Sequence, residues 1–314
     1  MQSSNKKKST RQSFDILLFD QFSNHCLANT IEPLRAANTL ARQSLYDWRF
    51  LTMTGDPVAS SSGMQVAPHG ALMDASAETL MVMPSYGYRA WDRWDTIRGL
   101  KGAAKRYDTL AGLDTGSWLL ASAGLLDGYR ATIHWEELTG FAEAFPLVDS
   151  LRERFVIDRD RITCSGAMAA FDLIMHLIGE GNGQLLAMEV AQLFMTRDSA
   201  RSHRSQASTS SKLVDRALSV MQGNLESPLA IGRIAQQAGC TQKSLETRMK
   251  QELKATPQAV YRRLRLNLAR KLVCETDQPI SEIASRCGYD NASAMTRAFK
   301  TEFDQTPRML RNPG

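Results

Sequence analysis

The sequence predicts two bodies of different class: an α/β domain whose parallel sheet is flanked by helices, then an all-α domain with two helix-turn-helix motifs. Three observations predict them. Short apolar runs alternate with helical stretches as far as Thr196, the pattern of strands buried on both faces. One signature then occurs twice in the last ~90 residues, and such a repeat marks duplicated supersecondary units. Between the two regions runs RDSARSHRSQASTSSK (Arg197–Lys212), which is polar, Ser-rich and aperiodic, as a linker is. The expected organisation is a disordered tail over 1–13, the α/β domain over 14–196, a linker over 197–211 and the helical domain over 212–314.

In the α/β domain, FDILLF (Phe14–Phe19), WRFLTMT (Trp48–Thr54), TLMVMPS (Thr79–Ser85) and TLAGLD (Thr109–Asp114) have strand length. Helices are expected over about Ala28–Arg42, Tyr88–Tyr107 and Ser117–Ala123, with a hairpin-like pair around Gly63 in the Ser60–Val66 region. Two more helices, Ala167–Ile178 and Gln184–Met195, close the domain. An open α/β sheet carries its chemistry at the carboxyl ends of its strands, here the loops after Phe19, Pro84 and Leu113.

In the helical domain the first copy reads IAQQAGCTQKSLETRMKQELKATPQ (Ile234–Gln258) and the second IASRCGYDNASAMTRAFKTEFDQTPR (Ile283–Arg308). Ile234 maps to Ile283 at an offset of 49, whereas Met249, Glu252 and Pro257 map to Phe299, Glu302 and Pro307 at 50, so the second copy holds one extra residue after its glycine. Ala235 or Ala284 lets two helices cross closely, and Gly239 or Gly288 suits the sharp turn between them. Thr241 or Asp290 then offers an oxygen to cap the next helix. Leu245 and Met249, and Met295, Phe299 and Phe303, recur at spacings of four and mark the packed face. Between the copies, Val260, Leu264, Leu268 and Leu272 predict a helix begun by Thr256-Pro257 and decorated with Arg262, Arg263, Arg265, Arg270 and Lys271.

Charge follows the same division. Residues 201–314 carry 19 Lys+Arg against 10 Asp+Glu, and residues 1–200 carry 19 against 23, balances of +9 and −4 within the chain's +5. A basic helical end on a mildly acidic body fits contact with the phosphates of double-stranded DNA. A stiff spacer would hold two groove-entering helices about one DNA turn apart, roughly 34 Å. The groove-facing residues are expected to be Gln242, Lys243, Glu246, Thr247 and Lys250 in the first copy, and Ala292, Ser293, Thr296, Arg297 and Lys300 in the second. Arg297 suits guanine O6 and N7, Glu246 a cytosine amine and Ala292 a thymine methyl; Lys250, Lys300 and Arg308 suit phosphate.

The stretch from about Ser211 to Arg311 resembles the AraC-type DNA-binding domain, most closely in RLRLNLARKLV and IASRCGYDNASAMTRAFKTEF. The first copy departs from that family: Thr247 stands where Arg is usual, and Met249 where Phe is. The resemblance implies a transcriptional regulator, expected to be an activator, to act as a homodimer and to meet RNA polymerase.

In the α/β domain the most telling loop is Gly112-Leu113-Asp114-Thr115-Gly116, a strand-turn-helix with glycines two residues either side of its centre. That is the spacing of a nucleophile elbow, with Asp where acyl-transfer enzymes carry Ser or Cys. The stretches IEPLRAANTLA, LYDWRFLTMTGDPVASSSGMQVAP, DTGSWLLASAGLLDGYRATIHWE and RITCSGAMAAFDLIMHLI resemble the PfpI-like, class I glutamine-amidotransferase-like superfamily, which has a flavodoxin-like fold. Within it they are most similar to the sensor half of GlxA-type AraC regulators. Enzymatic members carry a Cys at the elbow, supported by a Glu and often a His. By resemblance, Glu32 matches the Glu and Asp114 occupies the Cys position, while His134 belongs to an ATxHW segment of the regulator branch. No catalytic residue is therefore expected, and the pocket is read as a ligand sensor.

Expected ligand-binding residues are Glu32, Tyr86, Asp114, Thr115, His134 and Trp135. Two carboxylates in one cleft would call for a shared proton or a cation, and Tyr88, Trp91, Trp94 and Trp118 lie near the same loops, where aromatic faces attract cations. The expected effector is a small cationic or zwitterionic metabolite such as a betaine, carnitine or arginine, a class the resemblance also implies. Two other functions stay compatible with the sequence: a hydrolase or amidotransferase fused to a DNA-targeting module, and a DNA-binding protein that needs no ligand.

No apolar run approaches the ~20 residues needed to span a bilayer, and MQSSNKKKSTRQS has no apolar run of a signal peptide. The five cysteines (Cys26, Cys164, Cys240, Cys274, Cys287) are odd in number and scattered, with no CxxC pair or His partner for zinc. A cytoplasmic protein without metal or cofactor is expected, its thiols reduced.

Overall fold

β-branched and aromatic runs become strands where alternate side chains reach opposite helical layers. The computed structural model describes residues 11–194 and 212–311. Its amino-terminal unit runs β1 (Gln12–Leu18), α1 (Asn24–Ala41), β2 (Tyr46–Thr52), the hairpin β3 (Val58–Ala59) and β4 (Gln65–Val66), β5 (Gly70–Ala71), β6 (Thr79–Met83), α2 (Trp94–Ala103), β7 (Thr109–Leu113) and α3 (Gly116–Ser122). It continues through β8 (Arg130–Ala131), α4 (Leu138–Ala144), β9 (Asp149–Ser150), β10 (Phe155–Asp158), β11 (Arg161–Cys164), α5 (Ala167–Asn182) and α6 (Gln184–Phe194). The main sheet has seven strands in the order β10-β11-β7-β6-β1-β2-β5, parallel except for β10 against β11. Ile16 and Leu18 of β1 enter one core with Leu34, Leu173 and Ile174, under α1, α5 and α6. Leu17 enters the other with Leu80, Val82, Leu119 and Phe141, under α2, α3 and α4. The result is the flanked parallel sheet that the alternating pattern predicts.

Several boundaries move. Gln12 and Ser13 already pair with Tyr46 and Asp47, so the strand starts inside the expected tail. Residues 1–10, and the linker expected over 197–211, lie outside the described residues. The helix expected over Tyr88–Tyr107 is a 3₁₀ turn (Tyr88–Trp91) and then α2, because Arg93 is extended and interrupts the path. β10 and β11 carry too little pattern to be expected from the sequence, being four residues each, with charged Asp158 closing the first and Arg161 opening the second.

The second unit is helical: α7 (Lys212–Gly223), α8 (Ile231–Ala238), α9 (Gln242–Leu253), α10 (Pro257–Glu275), α11 (Ile280–Arg286), α12 (Ala292–Phe303) and α13 (Pro307–Arg311). The duplication extends to the caps. Thr256 Oγ1 accepts from Ala259 N and Thr306 Oγ1 from Met309 N, each ahead of a proline that opens a helix. Lys254 and Asp304 end α9 and α12 in the left-handed conformation. Thr241 caps α9 as expected, but the cap of α12 is Asn291, whose Oδ1 accepts from Ala294 N at 2.8 Å, and not Asp290. The extra residue after Gly288 shifts the cap by one. The apolar surface of α10 is also broader than one stripe. Tyr261, Leu266, Ala269 and Val273 are buried with Val260 and Leu264, whereas Leu268 and Leu272 are half-buried. A helix covered from two sides by two repeats needs more than one apolar edge.

Candidate functional site

The helix pairs of the second unit present two similar faces. In α9, Leu245, Met249 and Leu253 are buried while Gln242, Lys243, Thr247 and Lys250 are exposed. Gln242 Nε2 donates to Glu246 Oε1 at 2.9 Å, one turn on, so the two form a small acceptor–donor pair on the outer face. Arg248 is exposed as well, a guanidinium that comparison with the second copy did not suggest, since Ala298 stands there. In α12, Met295 and Phe299 are buried, with Phe303 edge-on to Phe299, ring centroids 4.7 Å apart. Ser293, Arg297 and Lys300 are exposed; Ala292 and Thr296 are half-buried, and Ala292 packs against the core of the second repeat. The exposed polar face of each second helix is what a major groove accepts.

In the first unit, the chain turns from β7 into α3 at Asp114, which has φ 61° although it is not glycine. A Cβ on Gly112 would stand 2.6 Å from Ser117 N, and one on Gly116 would press into the Val82 carbonyl, so both flanking glycines serve close approach. The neighbouring strands end alike: Gln21 after β1 has φ 69° and Ser85 after β6 has φ 54°. Three left-handed non-glycine residues at adjacent strand ends mark backbone strain of about 1–3 kcal/mol each, where α/β sheets keep their sites.

Asp114 is 9 % exposed. Its amide donates to Cys164 O at 2.9 Å and its carbonyl accepts from His134 N at 3.1 Å. Burial pushes its carboxyl above the usual carboxylate range, while Ser85 and His134 pull it back. Thr115 Oγ1 donates to Ser85 O at 2.7 Å. The His134 imidazole is 30 % exposed, its Nδ1 3.8 Å from Glu136. Two thiols that sequence reading did not assign sit near this elbow. Burial, with Asp114 and Cys164 adding to it, pushes Cys26 well up, and burial pushes Cys164 up to about 12. Thiols held protonated are poor nucleophiles.

The structure thus gathers Asp114, Thr115 and His134 and adds Ser85, which its left-handed turn places there. Glu32, on α1, has a carboxylate that is 42 % exposed and paired with Arg35 at 2.7 Å. The α1 side chain brought to the elbow is Cys26. Trp135 is 65 % exposed, its ring 5.9 Å from that of His134. Tyr86 lines a pocket of about 290 Å³ at the ends of β1 and β6, with Asp20, Gln21, Trp91 and Arg93. Several other aromatic faces already carry guanidinium groups: Arg89 lies 4.1 Å from the Trp118 centroid, Arg93 4.9 Å from Trp91 and Arg98 5.0 Å from Trp94.

Comparison with known proteins bears on both units. Residues 234–313 match the family model described as a helix-turn-helix domain. The chain is 33 % identical over 305 residues to the HTH-type transcriptional regulator GbdR of Pseudomonas aeruginosa, covering 95 % of this chain and 83 % of that protein. It is 32 % identical over 311 residues to the HTH-type transcriptional regulator GlxA of Rhizobium meliloti, covering 96 % and 95 %.

This chain belongs to the GlxA-type AraC regulators.

A ThiJ/PfpI family protein from Pseudomonas syringae shares its fold, at TM-score 0.51 and 22 % identity over 59 % of this regulator and 75 % of that chain. The regulator therefore joins a PfpI-like sheet domain to an AraC-type DNA-binding domain, and DNA is its partner. Among the described residues no helix is long and apolar enough to cross a membrane.

Proposed function

We propose that this regulator is a cytoplasmic homodimer that activates transcription, meeting RNA polymerase, when a small cationic or zwitterionic metabolite occupies its α/β domain. The effector seat lies where β1, β6 and β7 end, with Asp114, Thr115 and His134 at the elbow and Tyr86 on the adjoining pocket. One observation carries the effector reading: a buried carboxylate stands on a strained elbow, and burial raises its pKa. A cation entering beside it would restore the ionised form. Catalysis is not part of the proposal, since Asp114 stands in the cysteine position and both nearby thiols are held protonated. Betaine, carnitine and arginine fit that charge class. Ligand acts by binding one of two states better than the other.

A thermal-shift and calorimetry panel tests this. Betaine, L-carnitine or L-arginine should raise the melting temperature of the full chain, and Asp114→Asn should reduce that shift. Binding confined to neutral or anionic metabolites would refute the charge class. On the DNA side both second helices supply bases and phosphates with contacts. Arg297→Ala should cost about 1–3 kcal/mol, concentrated at one base position, in binding to selected sites. Lys300→Ala should weaken all sequences alike and lower the salt slope by about 0.9. An Arg297→Ala protein with unaltered footprint and sequence preference would show that α12 does not read bases.

A further inference from the structure

The two helix-turn-helix units touch each other directly, apart from the helix they share. Residues 224–230 join α7 to α8 in the first unit. Tyr261 of α10 holds both ends of that loop: its hydroxyl donates to Asn224 O at 2.5 Å and accepts from Leu229 N at 3.3 Å. The middle of the loop lies on the turn of the second unit. A Cβ built on Gly288 would stand 2.6 Å from Pro228 Cδ, nearer still to Pro228 Cγ, and 2.7 Å from Leu225 O. From the other side, Arg265 of α10 donates Nε to Cys287 O at 2.8 Å and Nη2 to Gly288 O at 2.6 Å, and its guanidinium lies 4.3 Å from the Tyr289 ring centroid. Gly239, the matching turn of the first unit, has no such neighbour among the described residues: the nearest of their atoms to a Cβ there is a guanidinium nitrogen of Arg216 at 3.8 Å. Both glycines supply a left-handed turn, with φ 69° and 81°, but only Gly288 also supplies a seat.

We propose that the seat formed by Gly288 against Leu225 and Pro228 is a specificity-determining contact that fixes the rotation of α12 relative to α9, and with it the spacing of the two DNA subsites. The proposal rests on the reading that both units engage DNA. A shared helix sets their separation, and each small unit packs on it through its own core. A second contact off that axis closes a triangle and adds to what resists rotation of one unit against the other. One base pair inserted between subsites turns the second by about 34° and moves it by about 3.4 Å, which a locked pair cannot follow.

Selection of full-length protein on a random-sequence duplex library tests this without a known operator. The unaltered chain should enrich paired subsites at one spacing and lose more than about tenfold in affinity on a one-base-pair insertion, the scale of a lost base contact. Pro228→Ala, which removes the ring, should keep both subsite sequences but spread their spacing by at least one base pair, with less than about threefold loss on the same insertion. Gly288→Ala should weaken paired sites, and the double variant should recover part of that loss, since the new methyl no longer meets a ring. A penalty due to backbone strain alone would not be relieved in this way. A single unchanged spacing for Pro228→Ala overturns the proposal, as does an unaltered chain that accepts several spacings or selects only one subsite. Failure to enrich any sequence would instead defeat the two-headed reading beneath it. If Gly288→Ala does not fold, by its melting curve, the Pro228→Ala spacing result decides alone.

Discussion

Two aspartates of the α/β domain are almost equally hidden from water, and the fold treats them in opposite ways. Asp15, in mid-β1, is fully buried, and both of its oxygens are met: Arg49 Nε and Nη2 donate at 2.8 and 2.7 Å, and the Tyr107 hydroxyl donates at 2.7 Å. Asp114, at the open end of β7, has beside it the Ser85 hydroxyl and the His134 imidazole, and burial dominates its ionisation. A buried carboxylate must find a cation or give up its charge. Asp15 has its cation built in, and the pair ties β1 to β2; it is architecture. Among the described residues no guanidinium or ammonium holds Asp114 in this way; Ser85 and His134 offset its burial only in part, and its carboxyl stays above the usual range. Burial of a charge does not mark a functional site; the way it is compensated does.

The largest way to break this contrast is to remove the built-in cation. Arg49→Ala leaves the Asp15 carboxylate with Tyr107 alone and should cost about 3–5 kcal/mol in denaturant unfolding. Asp114→Asn, at a site of similar burial, should leave stability at neutral pH unchanged or raise it, since no ionised form then has to be desolvated. Equal losses for the two variants would abolish the distinction between them.

The second effect is a pH dependence. Burial raises the pKa of Asp114 in the folded state above its unfolded value. At low pH both states hold the proton. As pH climbs past the unfolded value, the unfolded chain releases its proton first, so the folded state binds more protons and stability falls until the folded pKa is passed. The contribution is therefore present in acid and lost on going toward neutral pH, opposite to that of a salt-bridged carboxylate. Melting temperatures of the unaltered chain and of Asp114→Asn, measured from pH 4 to pH 8, should converge in acid and separate in favour of the variant as pH rises. A saturating cationic effector should close that gap.

Sequence made the helical repeat legible in detail because each of its devices is local: an alanine for helix crossing, a glycine for the turn, a threonine or asparagine for the cap. Asp290 is expected as the cap because it matches Thr241 at the offset of 49; counting the residue inserted after Gly288 moves the cap to Asn291. The α/β layers were legible from periodicity, and β10 and β11 were not, because four-residue strands with a charge at the turn between them carry too little pattern. The candidate site was most legible at its elbow, where Gly112 and Gly116 advertise tight packing, and the loops after Phe19 and Pro84 followed from the sheet. Ser85 and Cys26 were hidden, since their approach to Asp114 depends on strands and a helix meeting across the fold. The Gly288 seat was hidden for the same reason: the spacing that reveals a turn glycine says nothing of what rests on it.

Glu32 is the third carboxylate of the comparison and the smallest expected effect. Resemblance places it at the elbow, yet its side chain is 42 % exposed and bonded to Arg35, three residues on along α1. Exposed pairs at that spacing contribute about 0.2–0.5 kcal/mol, because water and counter-ions already solvate both charges. Glu32→Gln should therefore shift unfolding by less than about 0.5 kcal/mol and leave the effector-induced thermal shift intact. The double comparison is the sharper form. If Glu32→Gln removed the response to a cationic effector while Asp114→Asn kept it, the ligand would be held by α1 rather than by the strand ends, and an exposed, paired carboxylate would have outdone a buried one. The reverse outcome would tie recognition to the carboxylate that the fold leaves without a built-in cation.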